Sequence, residues 1–379
     1  MTQQDFASSQ SGSLSPGNPQ VYLTYIPKPG LGWLSIKNFL LTVITLGIYS
    51  FWGKTNVRRH LWSCVRIMDE PLEYTGTGKE LFLGMLVVLG IVILPILIIQ
   101  NAIPFLFPGD LVLQFSVQFA VFVVILYLIG VAVYRARRYR LSRTIWRGIR
   151  GTLTGSPWAY AWKNFWMTLI LPFTLLWSYP WMRVRLNSHI MNDTQFGSES
   201  FQFDGRAGPL YKRFAVLWVL MLVAFIVIAV LSALPSLNLG SALSDPQYQD
   251  QVNPETLGLI ALFGVLVFLP LLALLTAIFW AIYVSTELNY FARCTAFENS
   301  AFNMNATTWS LIGLAIGNFL ILVFTLGIAA PFVQQRLIRY LCDRTTINGT
   351  IDVAAIQQSQ AEMDKRGEGL AEAFDVDAF

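Results

Sequence analysis

The sequence predicts an all-α polytopic membrane fold: an internal repeat of a broken apolar helix plus a two-span hairpin, with short strand-like connectors. Three observations lead there. Of 379 residues, 55% are hydrophobic and 13% charged, about half the charged share of a soluble domain. Several uncharged runs, 81–103 and 111–134 among them, reach the ~20 residues that cross a bilayer core. One segment also occurs three times, and a repeat sets the architecture before any single element is read.

The first copy opens at Asn38-Phe39, passes Thr45-Leu46-Gly47-Ile48-Tyr49 and closes at Arg58-Arg59-His60. The last opens at Asn318-Phe319, passes Thr325-Leu326-Gly327-Ile328 and closes at Arg339-Tyr340, at a uniform offset of 280 residues (318 − 38 and 340 − 60). The middle copy opens at Asn164-Phe165 and closes through Pro180-Trp181 to His189. Its opening lies 126 residues beyond the first (164 − 38) and its close 129 beyond (189 − 60), so a three-residue insertion is expected around 171–177. Breaks are expected at Gly47, Pro172 and Gly327, because glycine and proline interrupt helices.

Taken in order, residues 1–20 are rich in Ser, Gln, Gly and Pro and read as a disordered leader. Residues 21–134 are repeat 1: the motif, a polar stretch and spans at 81–103 and 111–134, the former kinked at Pro95. Residues 135–287 are repeat 2, opening with Arg135, Arg137, Arg138, Arg140, Arg143, Arg147 and Arg150 and no acidic residue among them. The motif follows, then spans at 214–234 and 257–287. Residues 288–345 are repeat 3, the motif alone, and 346–379 form a polar acidic tail. The positive-inside rule places the arginine run in the cytoplasm, and the loop with Asp245, Asp250 and Glu255 outside. Alternation over Leu72-Glu73-Tyr74-Thr75 and Ser200-Phe201-Gln202-Phe203 predicts short strands at the cytoplasmic surface.

Seven apolar segments result, yet the charges do not alternate, since 160–181 is basic on both flanks. Either the three motif copies are re-entrant hairpins with both ends cytoplasmic, leaving four full spans, or all seven cross and the charge rule fails at one loop. The first reading is favoured, and it requires the broken backbone to be buried in protein or to line a wet cavity.

The motif resembles the signature of the YjgN-like bacterial inner-membrane family, domain of unknown function 898. The resemblance runs from about residue 22 to 345 and is carried by the Thr-Leu-Gly-Ile-Tyr and Pro-Trp elements, by Tyr74 to Phe82 and by Arg143 to Arg150. The middle copy departs from it by lacking Thr-Leu-Gly. The resemblance implies an inner-membrane location and a repeat pattern, and it implies no particular activity.

Tests for chemistry are mostly negative. Gly76-Thr77-Gly78-Lys79-Glu80 lacks the first glycine and the Ser/Thr of a phosphate-binding loop, and reads as a turn into the span. Cys64, Cys294 and Cys342 have no metal-ligand spacing. No catalytic constellation and no cofactor motif is present, so no enzyme is expected. His60, His189 and Tyr340 occupy matching repeat positions and form a candidate interface ring, read first as amphipathic anchors. Asn38, Asn164, Asn318, Gln114 and Gln118 are a candidate polar lining, against the plainer reading of helix caps and interhelical bonds. The seven arginines are candidates for anionic headgroups, which makes membrane lipids the expected partners; nucleic acid is not one. Gly313-Leu314-Ala315-Ile316-Gly317 offers a close helix contact, within the chain or in a homo-oligomer. The expected function is transporter- or channel-like, for a small solute or lipid. The alternative is a non-transporting scaffold or envelope-stress protein that holds headgroups or a partner.

Overall fold

The computed structural model describes residues 22–223, 225–226, 277–352 and 356–358. Its helices come in antiparallel pairs that stand on a β-structure. Helices α1 (Leu31–Ile44) and α2 (Ser50–Trp62) form the first pair. Leu31 packs on Val57 and Leu61, so the start of one helix meets the end of the other. Helices α3 (Gly78–Leu106) and α4 (Leu111–Arg143) form a long pair; both are long and apolar enough to cross a membrane. Helices α5 (Pro157–Phe173) and α6 (Tyr179–Asp193) are a short pair. Helices α7 (208–223) and α8 (277–293) are described at their sheet-side ends; there Phe214 meets Tyr283 edge-on and the Arg206 N–H donates to the Tyr290 hydroxyl at 2.8 Å. Helices α9 (Thr308–Phe324) and α10 (Ala330–Arg344) complete the set among the described residues.

The second helix of each pair runs into a short strand, turns, and leaves by another strand into the next pair. The strands are β1 (Leu23–Tyr25), β2 (Val65–Ile67), β3 (Glu70–Pro71), β4 (Glu73–Tyr74), β5 (Thr144–Trp146) and β6 (Ile149–Leu153). They continue as β7 (Thr194–Phe196), β8 (Glu199–Phe203), β9 (Thr295–Phe297), β10 (Ser300–Met304) and β11 (Thr345–Asn348). All pairings are antiparallel, in the orders β1-β2-β3 and β11-β10-β9-β8-β7-β6-β5-β4. Strand β1 lies beside β11, so the strands curl into a ring whose seam joins the two ends of the described chain. One bond recurs around it: the residue after each outgoing strand donates its N–H to a carbonyl at the foot of the following helix. The pairs are Ile26 to Cys64, Thr75 to Arg143, Thr154 to Asp193, Asp204 to Cys294 and Asn305 to Arg344, at 2.8–3.0 Å. Ile67, Ile149, Phe196, Phe201, Phe297 and Ile347 fill the centre, and Ile351 and Ile356 of the C-terminal segment pack onto them.

The helix pairs follow the ring in chain order. Ala161 of α5 lies against Gly130 of α4, Val184 of α6 packs with Phe214 and Tyr283, and Ser285 of α8 meets Thr308 of α9 at 3.2 Å. The Ser35 hydroxyl of α1 donates to the Ile328 carbonyl between α9 and α10, which closes the circle. The first and third motif copies therefore touch, while the middle copy is seated between α4 and the α7–α8 pair.

The all-α expectation is corrected by these strands. Strands near 72–75 and 200–203 are present, and most of the other strands lie where the sequence reading placed none. Residues 135–143 are not a loop but the continuous end of α4. The acidic tail does not begin at 346, since β11 pairs through Asn348 with Ala301. The leader at 1–20, residues 224 and 227–234 of one expected span, 257–276 of the other, and residues 359–379 lie outside the described residues.

Pro95 behaves as its chemistry requires. It follows a π-turn at Leu89–Ile93, whose wider winding precedes a ring that cannot donate.

The turns between α1 and α2, α5 and α6, and α9 and α10 form by the same hydrogen bonds. The Thr45, Thr174 and Thr325 hydroxyls donate back to the carbonyls of Leu41, Ile170 and Ile321 at 2.7, 3.2 and 2.6 Å. Each oxygen also accepts an N–H four residues on, from Tyr49, Ser178 and Ala329. The next two residues turn left-handed: Leu46 and Gly47, Leu175 and Leu176, Leu326 and Gly327. The N–H groups of Gly47, Leu176 and Gly327 donate five residues back, to Thr42, Leu171 and Leu322, at 2.7–3.0 Å, as at a helix C-terminus. The middle break thus falls at Thr174 to Ser178, not at Pro172, which stays inside the last turn of α5. It forms without glycine, at a backbone cost of about 1–2 kcal/mol for Leu176. The offsets from Thr45, 174 − 45 = 129 and 325 − 45 = 280, also correct the register. At the offset of 129 that Thr174 and His189 share, Met167, not Asn164, stands opposite Asn38 and Asn318, and no insertion is needed at 171–177.

Candidate ligand cavity

The helix faces that converge above the ring leave a cavity of about 590 Å³. On α4, Gly130, Val133 and Arg137 lie one or two turns apart on one face. On α5, Tyr160, Ala161 and Asn164 do the same. Gly130 lets the two backbones approach: a Cβ there would lie 2.8 Å from the Ala161 Cα and 3.2 Å from the Asn164 Nδ2. Arg137 lies two turns beyond that contact on α4. On α6, Met182 and Leu186 share a face with Arg183 and Asn187 at the neighbouring positions, and Phe291 of α8 stands across. Phe201 and Phe302, from β8 and β10, lie on the sheet side.

The cavity is apolar with a basic, donor-rich wall. The Arg183 Nε donates to the Glu287 Oε1 at 2.6 Å, and that carboxylate is 4% exposed. Arg137 has no such partner among the described residues, and the Asn187 Nδ2 is buried without an acceptor. Two guanidinium groups and one carboxylate leave a net charge of about +1. Buried donors without acceptors are costly, so the cavity favours a molecule that brings acceptors and negative charge.

Of the candidate lining residues, only Asn164 reaches this cavity. Asn38 donates across its own pair to the Gly53 carbonyl at 3.3 Å. The Asn318 Oδ1 is buried without a partner. Gln114 donates to the Phe107 carbonyl at 3.2 Å, and Gln118 accepts from Gln100 at 3.5 Å, both at the far end of the α3–α4 pair. The arginines separate likewise. Arg138 donates to the carbonyls of Leu153, at 2.9 Å, and Gly155. Arg143 pairs with Glu80 at 3.1 Å and Arg147 with Glu70 at 2.8 Å. Arg140 is buried, the Arg135 Nε is buried without a partner, and the Arg150 N–H donates to Gln358 at 3.1 Å. The run is therefore no single free patch, and Arg137 is the member that enters the cavity. The absence of acidic residues within the run hid this, because its carboxylates come from Glu70 and Glu80.

The candidate ring residues stand apart. The His60 Nε2 is buried without a partner. The Tyr340 hydroxyl meets the Ser310 hydroxyl at 2.7 Å. The His189 Nδ1 accepts from the Lys163 ammonium at 3.0 Å, and its Nε2 lies 3.6 Å from Asp193. Burial lowers the His189 pKa below the usual histidine value; Asp193 opposes this and Lys163 adds to it. Its imidazole is therefore neutral at pH 7. Gly317 packs within its own pair, where a Cβ would lie 2.7 Å from the Arg336 Nη2, while Gly313 faces open space. Among the described residues no cluster of histidine, cysteine or acidic side chains has the make-up to hold a metal.

A mostly helical chain with long apolar helices, standing on a ring of short strands around a basic cavity, defines the class. The chain belongs to the DUF898 family of bacterial proteins of unknown function, whose model matches residues 32–373. It is 22% identical over 350 residues to the inner membrane protein YjgN of Salmonella typhimurium, a match covering 84% of this chain and 86% of that one. No solved structure matches the chain.

Proposed function

We propose that this chain is a multi-pass protein of the bacterial inner membrane, built from repeated helix pairs, with a transporter- or channel-like role for a small solute or lipid. The observation that carries the reading is the cavity, whose walls come from three different helix pairs. A site shared by separate units changes shape when they move against one another, which is how many transporters use interrupted helices. The chemistry found there is that of binding; no enzymatic step is assigned.

The membrane placement follows from length and exposure. The first arms of the short pairs hold 14, 17 and 17 residues, or about 21–26 Å, which is short of the ~30 Å hydrocarbon core. Helices α3 and α4, at 29 and 33 residues, exceed it. Leu46, Leu175 and Leu326 at the short tips are 94%, 65% and 85% exposed, and Trp33, Trp158 and Trp309 stand exposed at the sheet-side ends. Tryptophan at one end and bare leucine at the other fit a wedge that starts at the headgroups and ends among acyl chains. The short pairs then enter and leave by the sheet face, on the cytoplasmic side, and the long α3–α4 pair crosses.

A flux assay in proteoliposomes tests the role. Movement of anionic solutes or lipid across the bilayer, lost when Val133→Trp fills the cavity, is expected. Absence of movement for every solute and lipid offered, with the fold intact, favours the scaffold reading and overturns this one.

A further inference from the structure

We infer that the cavity binds an anion-headed amphiphile, with Arg137, Asn187 and Asn164 on the head and the Met182, Leu186 and Phe291 wall on the tail. The inference rests on the same cavity as the proposed role but concerns binding, so it stands or falls by a different measurement.

The head chemistry follows from what the polar groups lack. Arg137 carries its charge with no carboxylate or carbonyl partner among the described residues, and the Asn187 Nδ2 is a buried donor without an acceptor. Glu287 is engaged by Arg183 at 2.6 Å, so it is not available to Arg137. Tyr160 and Asn164 add polar atoms to the same wall. A group that only accepts, such as a phosphate or carboxylate, satisfies all these donors, and arginine suits it through its planar fork. A cation would meet Arg137 with nothing to offset it.

The tail chemistry follows from the remainder. Phe201, Phe302 and Phe291 give an aromatic boundary, and Met182, Leu186 and Ile190 a continuous aliphatic one. A small hydrated anion would leave that surface facing trapped water, whereas an acyl or isoprenoid chain covers it. The volume, about 590 Å³, holds a head with part of a chain, the rest extending between helices toward the bilayer.

The test measures binding to the full-length, delipidated protein in a neutral detergent, by native mass spectrometry and thermal shift. The probes are phosphatidylglycerol, oleate, phosphatidylcholine and inorganic phosphate. Saturable binding of phosphatidylglycerol or oleate is expected, and whichever binds more tightly identifies a phosphate or a carboxylate head. Arg137→Gln should weaken it about tenfold to a hundredfold, with Arg137→Lys recovering part. Asn187→Leu should weaken it less. Val133→Trp, which leaves every donor in place and fills the apolar space, should also abolish it. Three results overturn the inference: no saturable binding of either amphiphile; equal binding of phosphatidylcholine or of phosphate alone; or amphiphile binding unchanged in Arg137→Gln and Val133→Trp. A variant that loses its cooperative thermal transition is replaced by Asn164→Leu, for which a tenfold loss is expected and unchanged affinity contradicts the site. Binding without flux would retain this inference while removing the transport role.

Discussion

The contact between Gly130 and Ala161 gives the sharpest test of how the cavity is positioned. Replacing Gly130 with alanine adds a Cβ 2.8 Å from the Ala161 Cα and 3.1 Å from its Cβ. Carbon atoms rest at about 3.5–4.0 Å, so α4 and α5 must part by most of an ångström or bend. Overpacking of this kind costs about 1–3 kcal/mol. Alanine also gains about 1 kcal/mol over glycine as a helix former, which obscures a single measurement. Gly313→Ala supplies the reference: it lies inside α9, and a Cβ there meets nothing within 4 Å. The propensity gain is common to both variants, so their difference isolates the packing cost. Gly130→Ala should fall about 1–3 kcal/mol below Gly313→Ala in denaturant unfolding in one detergent, with amphiphile affinity reduced because Arg137 lies two turns further along. Equal stabilities for the two variants would refute the idea that this approach is tight and that it places the cavity wall.

Other consequences can be checked with single substitutions. Gly47→Ala should cost about 1 kcal/mol through the left-handed backbone alone, since its Cβ would meet nothing within 4 Å. Leu176→Ala, at the matching position with a Cβ already present, should stay within about 0.5 kcal/mol; equal losses in unfolding experiments would contradict the shared turn. Because the folded-state pKa of His189 is lowered, its contribution to stability is full above the unfolded value of about 6.5 and is lost as pH falls through the folded value. His189→Gln should therefore remove up to about 1.4 kcal/mol per pH unit of acid sensitivity below pH 6.5, read from unfolding at pH 7.5 and 5.5. An identical pH dependence in the variant would count against the neutral imidazole. Gly155→Ala would place a Cβ 1.9 Å from the Asp193 Oδ2, and should lower the thermal transition further than any of these; a neutral effect would contradict the packing of β6 on the end of α6.

The helix pairs were legible because hydropathy acts over many consecutive residues. Helices α3 and α4 stand where uncharged runs exceed a bilayer's needs, and glycine marks the breaks at Gly47 and Gly327, whereas the middle break carries no glycine and lies beyond Pro172. The ring of strands was not legible for two reasons. Its strands hold two to five residues, so a period of two shows only near 72–75 and 200–203. Its pairings also join successive units and close through β1 and β11, near opposite ends of the sequence. The local cues were present nonetheless: Arg147-Gly148 takes two consecutive left-handed φ values, and it lies between Thr144-Ile145-Trp146 and Ile149-Arg150-Gly151, the pattern of a two-residue hairpin. The arginine-rich composition drew attention to headgroups instead. Sequence order pairs Asn164 with Asn38; the threonine register breaks that equivalence, and Asn164 reaches the cavity through its place near Ala161 at the Gly130 contact. Nothing in a linear sequence marks Asn187 as a buried donor without an acceptor, or joins Arg183 to Glu287 104 residues further on.

The placement of the short pairs can be measured directly by labelling single cysteines, in a background with Cys64, Cys294 and Cys342 replaced. Probes at Lys28, Ser156 and Thr307 mark the sheet-side ends, and probes at Leu46, Leu175 and Leu326 mark the tips. A membrane-impermeant maleimide should modify the first three in inside-out vesicles and not in intact spheroplasts, and should spare all three tips in both. Modification of any tip from the periplasmic side, or of any sheet-side position in spheroplasts, would mean that a short pair crosses the bilayer and that the ring does not lie wholly on the cytoplasmic face.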